Sequence, residues 1–287
     1  MTKSLVRHLY EELEKGNTKR ALYIVELLGD NINKLYKWKS PLLWAKEFEN
    51  EDVIRKLEEK GAREEEYPSG DEKLNIINML IAKTKEGDLE GVTELLDKGV
   101  DVDSRDGMGW TALMRASEKG YLDVVEKLVE EGADINFFYK RRETALVYAS
   151  YVRNKNIVKY LIDKGADVNI ASGNNGTTAL ITACEQGYLD IVEMLIDAKA
   201  DVNKADRYGK TPLMRALAYE QLEVIPKLIE LGADPLMKDE LGRTALEYAK
   251  DTNTRKLIID AVKKRSTNDK SVINELNEVF FMENKTL

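Results

Sequence analysis

The chain has 287 residues, 43% hydrophobic and 33% charged, with five prolines, one cysteine and a net charge of −8. That is ordinary soluble globular composition with apolar content enough for a core, which excludes general disorder. The lone Cys184 excludes an internal disulfide and agrees with a reducing compartment, and no stretch is apolar for long enough to span a bilayer. Met1 to Gly16 is broken by Arg7, His8, Glu11, Glu12 and Glu14, which argues against a signal peptide. The expectation is a cytoplasmic chain without a membrane role, monomeric when free. The acidic balance argues against wholesale nucleic-acid binding, although averaging can hide a basic stripe on one face.

In chain order, Leu22 to Leu28 followed by Gly29-Asp-Asn-Ile-Asn reads as a worn helical unit. Ser40-Pro-Leu-Leu-Trp-Ala with Val53-Ile, Leu57 and Gly61-Ala62 reads as a better one. Arg63 to Asp71 is a charged insertion with Pro68 and Gly70, an exposed loop where a stack of units can kink. Leu74 to Val102 supplies a further unit. Then a word recurs: Thr111-Ala-Leu, Thr144-Ala-Leu, Thr178-Ala-Leu, Thr211-Pro-Leu and Thr244-Ala-Leu, at intervals of 33, 34, 33 and 33 residues, each with Ala three residues after the Leu. In one full unit, Thr111 opens a short helix, Gly120 ends it, and Leu122, Val124, Val125, Leu128 and Val129 space a second. Gly132-Ala-Asp-Ile-Asn turns the chain out, a phrase echoed at Gly165, Lys199 and Gly232. Asp106-Gly-Met-Gly, Asp206-Arg-Tyr-Gly and Asp239-Glu-Leu-Gly are turns between units. Beyond Arg265, Val272, Ile273, Leu276, Val279 and Phe280 return at helical spacing, as a capping helix or a tethered segment.

A period of this length means units that bury their apolar faces only against neighbours. The phrases resemble the ankyrin repeat family from Leu74 to Thr267, with degenerate forms upstream. The resemblance implies an all-α ankyrin-repeat solenoid of about eight helix-turn-helix units with protruding loops. The expected organisation is a solenoid over 1–268, with divergent repeats in 1–73 and well-patterned ones in 74–268, then a C-terminal helix or tail over 269–287. The family's His after the Leu is absent, being Met114, Val147, Ile181, Met214 and Glu247, so the loop-anchoring hydrogen bond it makes must be replaced or lost.

Catalytic chemistry is poorly provided for. His8 and Cys184 lie units apart, short of the three or four ligands zinc needs, and Cys184 takes a helix position where the family packs Ala. No phosphate loop is present, and Gly173-Asn-Asn-Gly176 is a turn one residue longer than its counterparts. The reading is therefore no enzyme, no cofactor and no metal. The resemblance implies partner binding by the loops and the concave side of the first helices. Just before the helix Ala stand Trp44, Arg115, Tyr148, Thr182, Arg215 and Tyr248, followed by Phe48, Tyr151 and Tyr219; in the loops stand Tyr36, Lys37, Met108, Trp110, Arg207, Tyr208, Lys210 and Arg243. Aromatic residues and Arg are the types enriched at binding hot spots. The sharpest departure is Phe137-Phe138-Tyr139-Lys140-Arg141-Arg142, where the Asp-x-x-Gly turn residues are missing and aromatics and cations crowd a loop tip. The expectation is a protein partner with an acidic or carbonyl-rich surface, bound in an adaptor or inhibitor role; a nucleic-acid binder using the same Arg and aromatic stripe is the alternative.

Overall fold

The computed structural model describes residues 2–29, 32, 36, 39–64, 71–140 and 142–265. The chain divides into two compact units, 1–135 and 136–287. Unit 1 carries α1 (Thr2–Glu14), α2 (Thr18–Leu28), α3 (Pro41–Glu47), α4 (Glu51–Glu59), α5 (Asp71–Glu86), α6 (Leu89–Asp97), α7 (Ala112–Lys119) and α8 (Leu122–Glu130). Unit 2 carries α9 (Ala145–Tyr151), α10 (Lys155–Asp163), α11 (Ala179–Gln186), α12 (Leu189–Asp197), α13 (Pro212–Ala218), α14 (Val224–Glu230), α15 (Ala245–Tyr248) and α16 (Thr252–Arg265). These are eight helix pairs, as the period predicts. The described residues otherwise contain only two isolated β-bridges, Tyr36 with Lys39 and Ser172 with Thr177. The C-terminal amphipathic segment lies outside the described residues.

The recurring Thr is a helix N-cap. Thr111, Thr144, Thr178 and Thr211 hold extended backbone, and each hydroxyl accepts the N–H three residues on; Thr244 adds a capping box with Glu247. The Leu and Ala that follow are buried, Ala116, Ala149, Ala183 and Ala216 completely, because small side chains let neighbouring first helices approach. α7 and α11 end on left-handed Gly120 and Gly187, whereas the turns after α9 and α13 put Arg153 and Glu220 at φ +56° and +58°. The closing Asn ties one repeat to the next. Asn136, Asn169 and Asn203 accept from the backbone N–H of Asp167, Asp201 and Asp234 at 2.7–2.8 Å, and Asn169 also donates to Lys199 O at 3.1 Å. In unit 1, Asp103 does the same for Asp134.

Within unit 1 the repeat pattern changes at α5. This helix starts seven residues ahead of Asn78, which stands in the Thr register. The positions of the two buried Ala residues hold Met79, 51% exposed, and Lys83, half-exposed. α7 packs along the other side of α5, whereas α1 to α4 surround a core of their own that includes Leu9, Val25, Trp44, Val53 and Leu57. Deleting residues 1–64 should therefore leave a cooperatively melting chain, displaced by about 2–4 °C for each kcal/mol of contact it loses, such as Arg7 against Gly132. Circular dichroism checks it; a broad transition would mean that the Met79 face needs the upstream module.

Candidate partner-binding surface

The residues expected to look into the concavity turn back to their own loops instead. Trp44 is buried, donates from Nε1 to Tyr36 O at 2.8 Å and meets Tyr10 edge-on with ring centres 4.7 Å apart. Arg115 is buried with its guanidinium 3.4 Å from the centre of the buried Trp110 ring, and donates from Nη1 to Glu118 at 3.0 Å. The Tyr148 hydroxyl hydrogen-bonds Glu143; burial first and this carboxylate second raise its pKa. Arg215 donates from Nε to Asp206 Oδ2 at 2.8 Å and from Nη2 to the same oxygen, and its Nη1 lies 3.1 Å from Glu185. Tyr248 donates to Asp239 Oδ2 at 2.5 Å, its pKa pushed up to about 12 by burial and by that carboxylate.

These contacts supply the loop anchor that the missing His leaves open. Asp206 and Asp239 use one oxygen for two N–H groups of the turn and the other for the helix side chain nine residues on. Each carboxylate thus locks its turn to its helix. Trp44, Trp110 and Arg115 leave the accessible set because they are buried, and Arg215 leaves it because two carboxylates hold it. Tyr148 stays half-buried as an anchor.

Other site residues remain accessible. Met108, Phe138, Tyr151, Tyr208 and Tyr219 are 45–61% exposed, and Lys140 and Arg207 are exposed as well. Phe137, Tyr139 and Arg142 are half-buried, and Arg141 lies outside the described residues. The loop at 137–142 keeps more turn structure than its sequence predicts. Arg142 N–H donates to Tyr139 O at 2.9 Å, the same backbone bond that Gly209 makes to Asp206, with Lys140 taking the left-handed conformation at φ +50°. One Phe is tucked in and the other stands out.

In unit 2 the accessible aromatics fall at two places. Phe138 and Tyr208 belong to loop tips ahead of the first helices, whereas Tyr151 and Tyr219 sit at the ends of α9 and α13. With them stand Val152, Leu222 and Leu241, 39%, 59% and 74% exposed, which the repeat pattern does not single out. Cys184 is fully buried and its thiol pKa is raised by desolvation, the condition of an inert structural thiol. Among the described residues no cluster of His, Cys, Asp and Glu is arranged to hold a metal ion, and no helix is long and apolar enough to cross a membrane.

The family model for ankyrin repeats in three copies matches residues 78–172 and 170–239. The chain belongs to the ankyrin repeat family. Its all-α solenoid fold and its character as a protein-interaction module follow. A solved structure of a predatory endopeptidase from Bdellovibrio bacteriovorus in complex with an immunity protein contains a chain that is 31% identical at a TM-score of 0.57, covering 63% of this ankyrin chain and 97% of its counterpart. An ankyrin repeat domain from Acinetobacter baumannii is 28% identical at a TM-score of 0.57, covering 63% and 96% respectively. No curated protein matches the chain.

Proposed function

We propose that this ankyrin protein is a non-enzymatic inhibitor that holds a hydrolase through the accessible side chains of unit 2. The observation that carries the reading is that Phe138, Tyr151, Tyr208 and Tyr219 stand 45–56% exposed, outside the buried core. Large aromatic side chains bring contact area with few rotors to freeze, which suits hot spots. The choice of an inhibitor over an adaptor is supported by the likeness to a chain from a complex of an endopeptidase with an immunity protein.

The test is co-purification of the wild-type chain, and of a variant with all four aromatics replaced by Ala, from cells of the source organism. The protein captured is then assayed for peptide-bond hydrolysis with and without added chain. Capture by the wild type alone, with inhibition at a one-to-one ratio, is expected. Undiminished hydrolysis would overturn the inhibitor role in favour of an adaptor, and equal capture by the variant would move the site elsewhere.

A further inference from the structure

Two loops at the edge of unit 2 carry a charge opposite to that of the chain. Residues 136–143 set Lys140, Arg141 and Arg142 against Glu143 alone, and residues 203–210 set Lys204, Arg207 and Lys210 against Asp206 alone, in a protein whose net charge is −8. Both of those anions are engaged on the helix side, Glu143 by Tyr148 and Asp206 by Arg215. Lys140 and Arg207 are exposed and make no ion pair among the described residues. Beside them stand Phe138 and Tyr208.

Successive loops along this edge are also hydrogen-bonded to one another. Arg207 N–H donates to Asn175 O at 2.8 Å, and Glu240 N–H donates to Tyr208 O at 3.0 Å. Gly209, at φ +71°, lies so close to the next loop that a Cβ would come within 3.0 Å of Glu240 N, which is why glycine is needed there. These bonds hold the loop at Arg207 and Tyr208 in place, so less entropy is lost when a partner binds there.

We propose that this edge docks an acidic polypeptide surface, partner carboxylates meeting Lys140 and Arg207 while apolar groups cover Phe138 and Tyr208. The proposal rests on the protein-binding reading and names the chemistry of the partner. Guanidinium and carboxylate match in bidentate geometry, and local cations steer an acidic patch toward the edge. A nucleic acid or an anionic bilayer would extend past the edge and meet the net negative charge of the chain, whereas an acidic patch can be confined to it.

The probes are fluorescent poly-L-glutamate, a single-stranded oligothymidylate and phosphatidylserine vesicles, each titrated with the full chain at low and moderate salt. The variants are Lys140→Glu with Arg207→Glu, and the milder Lys140→Gln with Arg207→Gln, all at exposed positions, with melting curves as controls. Poly-L-glutamate should bind, weaken about ten-fold or more on charge reversal and by less on neutralisation, and lose affinity with salt. Absence of poly-L-glutamate binding, equal binding by the reversed variant, or tighter variant-sensitive binding of the oligonucleotide or vesicles would overturn the proposal. A hydrolase still captured and inhibited by the reversed variant would leave the inhibitor reading intact and sink this one alone.

Discussion

Arg215→Ala should be strongly destabilising, by about 3–5 kcal/mol, because it leaves the buried Asp206 carboxylate of this part-buried pair without its cation. The Asp206 side chain is inaccessible to water, and Glu185 lies nearby with its pKa raised by burial despite the Arg215 charge. Without the guanidinium the two carboxylates face each other in a poorly solvated site, and Asp206 loses its hold on α13. At roughly 2–4 °C per kcal/mol, the melting temperature should fall by roughly 6–20 °C. Asp206→Asn combined with Arg215→Met should recover much of the loss, since a neutral, well-filled replacement of a buried pair is often close to isoenergetic.

The pH dependence follows from Glu185. A carboxylate whose folded pKa is raised contributes most below its unfolded value of about 4.3 and loses that contribution as pH rises through the folded value. Measured against wild type at equal pH, the Arg215→Ala deficit should be smallest in acid and grow toward neutrality, which urea unfolding at several pH values reads directly. A deficit under about 1 kcal/mol at neutral pH would mean a solvent-screened pair, and would return Arg215 to the set of partner-facing cations.

What the sequence made legible was the part governed by local rules. The Thr word is an N-cap followed by a Leu and an Ala that must be buried, so its period marks every helix pair from α7 onward. The Asn of the closing phrase was visible, though its bond to the next repeat was not, because the partner lies 31 or 32 residues away. Side-chain direction was the failure. Trp44, Arg115, Tyr148, Arg215 and Tyr248 share one register position that can face either the concavity or the loop, and periodicity carries no information on which rotamer wins. A signal existed: the missing His left the loop without an anchor, and Arg215 and Tyr248 each stand nine residues after the turn Asp. Likewise Met79 and Lys83, in the register of two obligatory Ala residues, already marked α5 as differently packed on its upstream side.

Once the partner is in hand, Phe138→Ala, Tyr208→Ala, Tyr151→Ala and Tyr219→Ala should each weaken its binding by on the order of 1–4 kcal/mol, the range of aromatic anchors near an interface centre. All four side chains are 45–56% exposed, so their truncation should change stability by less than about 0.5 kcal/mol, and a melting curve separates lost affinity from loss of fold. The loss should appear mainly as faster release, since anchors act after encounter. Tyr148→Phe should behave differently, because its hydroxyl holds Glu143 and the change acts on the loop rather than on the partner. The two pairs also measure the footprint. Phe138 and Tyr208 lie ahead of the first helices, Tyr151 and Tyr219 at their far ends, and a helix of seven residues such as α9 puts about 10 Å between those places. Losses at both ends would mean a partner laid along the first helices, and a loss at the loop tips alone would confine it to the basic edge. Calorimetry showing full affinity with all four replaced in a folded chain would remove unit 2 from the interface altogether.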